Sequence, residues 1–200
     1  MKTNPSYGVT IKMLSICADV SLQPNSSFTI TDVEVTGMEK TDRVIEIGAS
    51  KVSNGKVVQR FRSLICPSND YDTAIHHLFD FTVDDLKVAP PIINVLKAFK
   101  QFVGSDLLLI NNAPFDVHYL NSEFEILNFE MNNQVMDLCS VLKMPRPRSL
   151  AKYATALNLP APKSFSVRDS IVFTEEILLM LGIISERLIG TDYKDSEVPI

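Results

Sequence analysis

Two hundred residues suit one domain with a sizeable core. Hydrophobic residues at 46% and charged residues at 22% place the chain among folded globular proteins and exclude a disordered one. A net charge of −5 argues against a protein held on nucleic acid by bulk electrostatics. It leaves room for one that binds nucleic acid through metal ions and a local basic patch.

No apolar run approaches the roughly 18 residues of a membrane helix, so no membrane partner is expected. The longest candidate, "IVFTEEILLMLGII", is interrupted by Glu175 and Glu176. The opening "MKTNPSYGVTIKMLSICADV" does not read as a signal peptide. Three cysteines, Cys17, Cys66 and Cys139, lie far apart without CxxC spacing. That pattern gives neither a disulfide framework nor a zinc site, and a reducing, cytoplasmic setting suits it.

Residues 1–26 read as an N-terminal extension closing in the polar linker "SLQPNSS", residues 27–184 as the domain, and residues 185–200 as a polar tail. The stretch "SFTITDVEV" alternates and is rich in β-branched residues, which predicts a strand. "RVIEIGASKVSNGKVVQRFRSLICP" predicts two strands joined at Ser53-Asn54-Gly55, since Asn-Gly between apolar runs favours a hairpin. "YDTAIHHLF" is a short helix candidate. "APPIINVLKAFKQFVG", with Pro near its start and Gly at its end, predicts a second helix.

A short buried strand, "DLLLI", and a helix, "APFDVHYLNSEFEIL", come next. "NQVMDL" reads as a brief strand, and "SLAKYATAL" and "VRDSIVFTEEILLMLGIISERL" as amphipathic helices. Three strands, then alternating helices and strands, imply a mixed α/β domain with helices flanking a sheet.

Four acids stand out. Asp32 and Glu34 lie two apart on the first long strand, so their side chains share a face. Two carboxylates on one face repel each other unless a cation lies between them, although a solvated strand face would also carry such a pair. Asp116 and Asp169 each fall near a helix start, where an acid complements the helix macrodipole.

Together these acids carry a resemblance. "TDVEVTG" followed by "RVIEIGASKVSNGKVV", "NNAPFD" followed by "VHYL", and the region around "VRDS" resemble the three motifs of the DEDD exonuclease superfamily, with its ribonuclease H-like fold. The branch most similar includes the proofreading epsilon subunit of bacterial DNA polymerase III and stand-alone relatives. The resemblance spans about residues 27–184. It implies a 3′–5′ exonuclease that hydrolyses terminal phosphodiesters of single-stranded DNA or RNA with two Mg²⁺ or Mn²⁺ ions, alone or with a polymerase or another replication or repair assembly.

By the same resemblance, Asp32, Glu34 and Asp169 hold the first ion, and Asp32 bridges to a second with Asp116. Backbone amides near Val35 and Thr36 meet the 3′ hydroxyl, Met38 wedges against the terminal bases, and Phe115 packs near the terminal nucleotide. Core packing would equally explain Met38 and Phe115.

The chain departs from that family at the base that orients or deprotonates the attacking water. One branch has a His five positions before the last Asp, and the other a Tyr four positions before it. Here those positions hold Ser164 and Phe165, and neither accepts a proton near neutral pH. A positioned general base is typically worth about 10²–10⁴-fold. His118 follows Asp116 by two residues and points about 200° away from it on a helix. His76 and His77 fall in a connecting segment, and nothing in the sequence positions Lys163 or Ser166. Relatives often read His-Asn-Ala where this chain has Asn111-Asn112-Ala113.

Lys143, Arg146, Arg148, Lys152, Lys163 and Arg168 form a basic stretch that could steer a phosphate backbone toward the metals. Two principal readings stay open: an attenuated exonuclease, or a nucleic-acid or nucleotide binding module that keeps its metal sites without useful catalysis. A purely structural partner in a larger assembly is a third.

Overall fold

The computed structural model describes residues 12–17, 21–39, 41–67, 79–144, 149–164 and 166–188. Its sheet has six strands: β1 Ser15–Ile16, β2 Phe28–Val35, β3 Val44–Ser53, β4 Lys56–Leu64, β5 Leu108–Ile110 and β6 Gln134–Asp137. Their spatial order is β1-β6-β5-β2-β3-β4. β2, β3 and β4 form an antiparallel meander, whereas β1, β6, β5 and β2 run parallel to their neighbours. The β3–β4 turn carries Asn54 at φ 49° and Gly55 at φ 73°. Positive φ at both central residues is what a tight hairpin of this twist requires, and Asn-Gly tolerates it.

Among the described residues, six helices flank the sheet: α1 Val83–Lys87, α2 Ile92–Val103, α3 Ala113–Leu127, α4 Leu138–Leu142, α5 Leu150–Leu157 and α6 Val167–Met180. One face of the sheet packs Val33, Val35, Ile47 and Phe61 against Val95, Leu96, Phe99, Leu120 and Phe124 of α2 and α3. The other packs Phe28, Ile30, Leu109 and Met136 against Tyr153 of α5 and Val167, Ile171 and Ile177 of α6. This is the ribonuclease H-like α/β arrangement that the sequence resemblance implies.

The structure extends or corrects several sequence expectations. Part of the N-terminal extension is built into the sheet: β1 pairs with β6, Leu14 is buried, and Asn121 clamps the Leu14 backbone through both its amide atoms. α1 and α4 are too short to show a period in the sequence. Both are set by caps, Thr82 with Asp85 for α1 and Asp137 for α4. α6 stops at Met180 rather than running to 188, because Gly182 turns the chain with φ 68°. The segment after it packs back on the hairpin, where Ser185 N donates to Gly55 O. The helix expected over 71–79 lies almost wholly outside the described residues, as do His76 and His77. Among the described residues, no helix is long and apolar enough to cross a membrane. The three cysteines are free thiols.

One glycine sets how closely α6 approaches the sheet. Gly48 of β3 lies beside Asp32 in the strand register. A Cβ there would stand 2.5 Å from Val167 Cγ2 and 2.9 Å from Ile171 Cδ1. Overpacking of this kind typically costs about 1–3 kcal/mol. Gly48→Ala should therefore lower the urea-unfolding free energy by roughly that amount, with a drop of several degrees in melting midpoint. A variant as stable as the parent would show that α6 does not depend on this contact.

Candidate active site

Asp32 and Glu34 continue the row begun by Phe28 and Ile30, beyond the point where α6 covers it, and Val33 and Val35 point into the opposite core. Period-two geometry thus delivers both acids to one opening, as the sequence predicts. The opening is a cavity of about 340 Å³ at the C-terminal ends of the parallel strands. That is where open α/β sheets commonly bind ligands. Asp32, Glu34, Asn111, Asn112, Phe115 and Asp116 form one side, and Ser149, Leu150, Ala151, Pro162, Lys163, Ser164 and Ser170 the other.

Asp116 sits in the first turn of α3 and is only 3% exposed. The turn that delivers it is fixed by Asp137, whose carboxylate accepts from Ala113 N and Cys139 N, both at 2.9 Å, and so holds the starts of α3 and α4 together. Asn112 takes the left-handed conformation at the helix entry, with φ 56°. Asp116 Oδ2 accepts from Val33 N at 3.3 Å, which ties it to β2 between the two strand acids.

Burial pushes all three carboxyls up. For Asp32, the neighbouring charges of Asp116 and Glu46 add to burial, and a hydrogen bond from the Ser170 side chain opposes it. Glu34 is pushed up to about 9 by burial, then by Asp32, Glu46 and Asp80. Asp116 is raised well above the usual carboxylate range by burial and by Glu34. Without a countercharge, such a trio holds protons.

Asp169 stands apart. It is half-buried at the start of α6 and does not line the cavity, where Ser170 faces Asp32 instead. Its Oδ2 accepts from both Ser164 N and Ser164 Oγ at 2.9 Å. Among the described residues, no three acids, histidines or cysteines are gathered as a ready metal cluster. Ser164 itself lines the cavity at the position where the resemblance places a base. Phe165 lies outside the described residues.

The remaining expected residues separate clearly. Phe115 lines the cavity and meets Tyr119 edge-on, with ring centroids 4.9 Å apart. Met38 is 80% exposed on the loop after β2, which Tyr119 Oη fastens to α3 through Glu39 O. The Thr36 amide donates to Arg43 O at 2.9 Å, so it is not available to a 3′ hydroxyl. His118 is exposed and does not line the cavity. Lys163 lines it, Lys143 and Lys152 are exposed, and Arg168 is committed to Asp80 at 3.2 Å. Arg146 and Arg148 lie outside the described residues.

Glu46 was missed in the sequence. It lies opposite Glu34 in register, fully buried, ion-paired to Arg62, and it accepts from Val167 N at 3.4 Å. An acid inside the otherwise apolar run "VIEIG" was the available signal.

The raised carboxyls make stability depend on pH. Glu34 holds a proton in the folded state up to about 9, against an ordinary value of 4.5. Between those values the folded state binds more protons than the unfolded one, so stability falls as pH rises through this window. In chelator, the thermal midpoint should decline from about pH 5 to 9. Glu34→Gln should flatten that decline, and an equal slope in parent and variant would refute the assignment.

A family model described as Exonuclease (RNase_T) matches residues 29–163, ending one residue before Ser164. The chain is 33% identical over 123 residues to the PolC-type DNA polymerase III of Oceanobacillus iheyensis, covering 60% of this chain and 9% of that polymerase. It is 31% identical over 125 residues to the Listeria welshimeri counterpart, covering 62% and 9%. The chain thus spans about a tenth of the length of these relatives. Among solved structures, cell-death related nuclease 4 superposes with a TM-score of 0.67 at 15% identity, covering 79% of this chain and 64% of that one. With the match running through β2, β3, α3 and the cavity between them, the chain belongs to the RNase_T exonuclease family, within the DEDD exonuclease superfamily.

Proposed function

We propose that this chain is a metal-dependent 3′–5′ exonuclease acting on the 3′ end of single-stranded nucleic acid. Membership of an exonuclease family supports a nuclease reaction. The observation that carries the rest is the trio Asp32, Glu34 and Asp116 around one cavity, crowded enough to take up protons where no cation stands between them. Oxygen-only donors of this charge fit Mg²⁺ or Mn²⁺.

Two such ions, when bound, supply an activated water and stabilise the leaving oxygen. Asp32, Glu34 and Asp169 would hold the first, and Asp32 with Asp116 the second. Phe115 offers its ring to the terminal nucleotide, Met38 stands on the adjoining loop as the wedge, and Lys163 attracts the phosphate. With Thr36 engaged by Arg43, the contact to the 3′ hydroxyl rests on the Val35 amide. The relatives are DNA polymerases, and one similar fold, exonuclease X, was solved with 5′ overhanging duplex DNA. The polymerase relatives support a role beside a polymerase or another replication or repair assembly, and the free thiols suit the reducing, cytoplasmic setting that belongs to this proposal.

One observation favours a second reading, a nucleic-acid or nucleotide binding module. Ser164 takes the place of the base and cannot accept the water's proton.

On 5′-labelled single-stranded oligonucleotides with Mn²⁺, the parent should give stepwise shortening and nucleoside monophosphates, and Asp32→Ala should give none. Ser164→His should raise the rate by about 10²-fold or more. No shortening by the parent or by Ser164→His, with Mn²⁺ still bound, would decide for the binding module.

A further inference from the structure

We infer that Ser164 is a positioning residue that holds Asp169 out of the cavity, so that a divalent cation is gained only when the Ser164 Oγ–Asp169 hydrogen bond breaks. The inference rests on the metal-site reading above and concerns how that site is assembled.

The geometry at the start of α6 carries it. Ser166 is the N-cap, and its hydroxyl accepts from Asp169 N at 3.2 Å. Asp169 therefore stands at the third helical position. A carboxylate there commonly turns back to the amide of the capping residue. Asp85 does this at α1, where it accepts from Thr82 N at 2.7 Å. Asp169 reaches further back instead, and one oxygen, Oδ2, takes both donors of Ser164.

The helix start does not need Ser164. Ser166 serves the Asp169 amide, and Glu46 accepts from Val167 N. The Ser164 hydroxyl has one proton. Its contact to Oδ2 at 2.9 Å is shorter than its contact to Ser166 Oγ at 3.3 Å, so the carboxylate takes that proton.

The consequence appears in the cavity wall. Ser164 and Ser170 line it, while Asp169, between them in the chain, does not. Beside Asp32, α6 presents the Ser170 hydroxyl rather than a fourth carboxylate. A side-chain rotation of Asp169 away from Ser164 would bring the fourth acid toward the others. That rotation must give up two charge-assisted hydrogen bonds, from Ser164 N and from Ser164 Oγ, of which a substitution at Ser164 removes only the second.

The test is Mn²⁺ binding by titration calorimetry on the parent, Ser164→Ala, Ser164→Gly, Ser164→Thr, Ser164→Ala/Asp169→Asn and Asp32→Ala. Ser164→Ala should bind roughly ten- to a hundredfold more tightly than the parent, the worth of one hydrogen bond to a charged acceptor. Ser164→Gly, which lacks the same hydroxyl, should repeat the gain. Ser164→Thr, which keeps it, should stay at the parent's affinity, and the double variant should lose the gain. Equal or weaker binding by Ser164→Ala and Ser164→Gly would overturn the inference. The metal-site reading would survive that result if the parent still bound Mn²⁺ and Asp32→Ala did not. Binding by neither the parent nor the Ser164 variants would overturn both.

Discussion

Mutual repulsion among Asp32, Glu34 and Asp116 is the constraint around which the structure is arranged. The fold brings three carboxylates to one end of β2, behind walls that remove much of their hydration. Like charges at such range cannot all ionise without a compensating cation. β2 supplies two of them through its pleat, and α3 supplies the third through its first turn. The cost is tolerable because the acids border an open cavity rather than a sealed core.

The other buried acids show how the same chain treats charge when no ligand is needed. Glu123 is ion-paired with Arg43, Glu175 with Arg60 at 2.6 Å, and Glu46 with Arg62. Ser50 adds a hydroxyl to Glu175, and Asp137 is satisfied by two helix amides. Glu123, Glu175 and Asp137 are compensated inside the protein, as an uncompensated buried charge would cost several kcal/mol, whereas at Glu46 burial outweighs Arg62 and holds the carboxyl above its ordinary value. Among the described residues, the cavity trio has no arginine or lysine ion pair. Asp116 has the Val33 amide and Asp32 the Ser170 hydroxyl, neither of which carries positive charge. The contrast within one molecule separates acids kept for structure from acids held ready for a cation.

Much of this was legible in the sequence because it depends on local periodicity. The alternation of "SFTITDVEV" put Asp32 and Glu34 on one face, Asn54-Gly55 marked the hairpin, and "APFDVHYLNSEFEIL" matched α3 from end to end. What escaped depends on distance in the chain. β1 pairs with a strand more than a hundred residues away, and no local pattern announces that. Glu46 reads as a strand residue until Arg62 and the start of α6 meet it across the sheet. Arg168 reads as a free cation in a basic stretch, yet Asp80 takes it. Spacing in a motif records which residues occur, and side-chain rotamers decide where their charges go, as Asp169 illustrates.

Ser164 joins these threads because one substitution has two separable effects. On the proposed reading, a serine where the resemblance expects a proton acceptor would act on the rate of a chemical step. Gaining a small hydroxyl at the same place supplies a donor within reach of Asp169, which acts on the assembly of the site before any chemistry. The second effect also eases the fold's electrostatic strain, because Asp169 is satisfied by protein donors instead of adding a fourth charge to the trio. A site that relaxes its own repulsion in this way gains stability in the absence of a cation and forfeits part of its affinity for one, the trade between a settled fold and a strained site that functional residues commonly show.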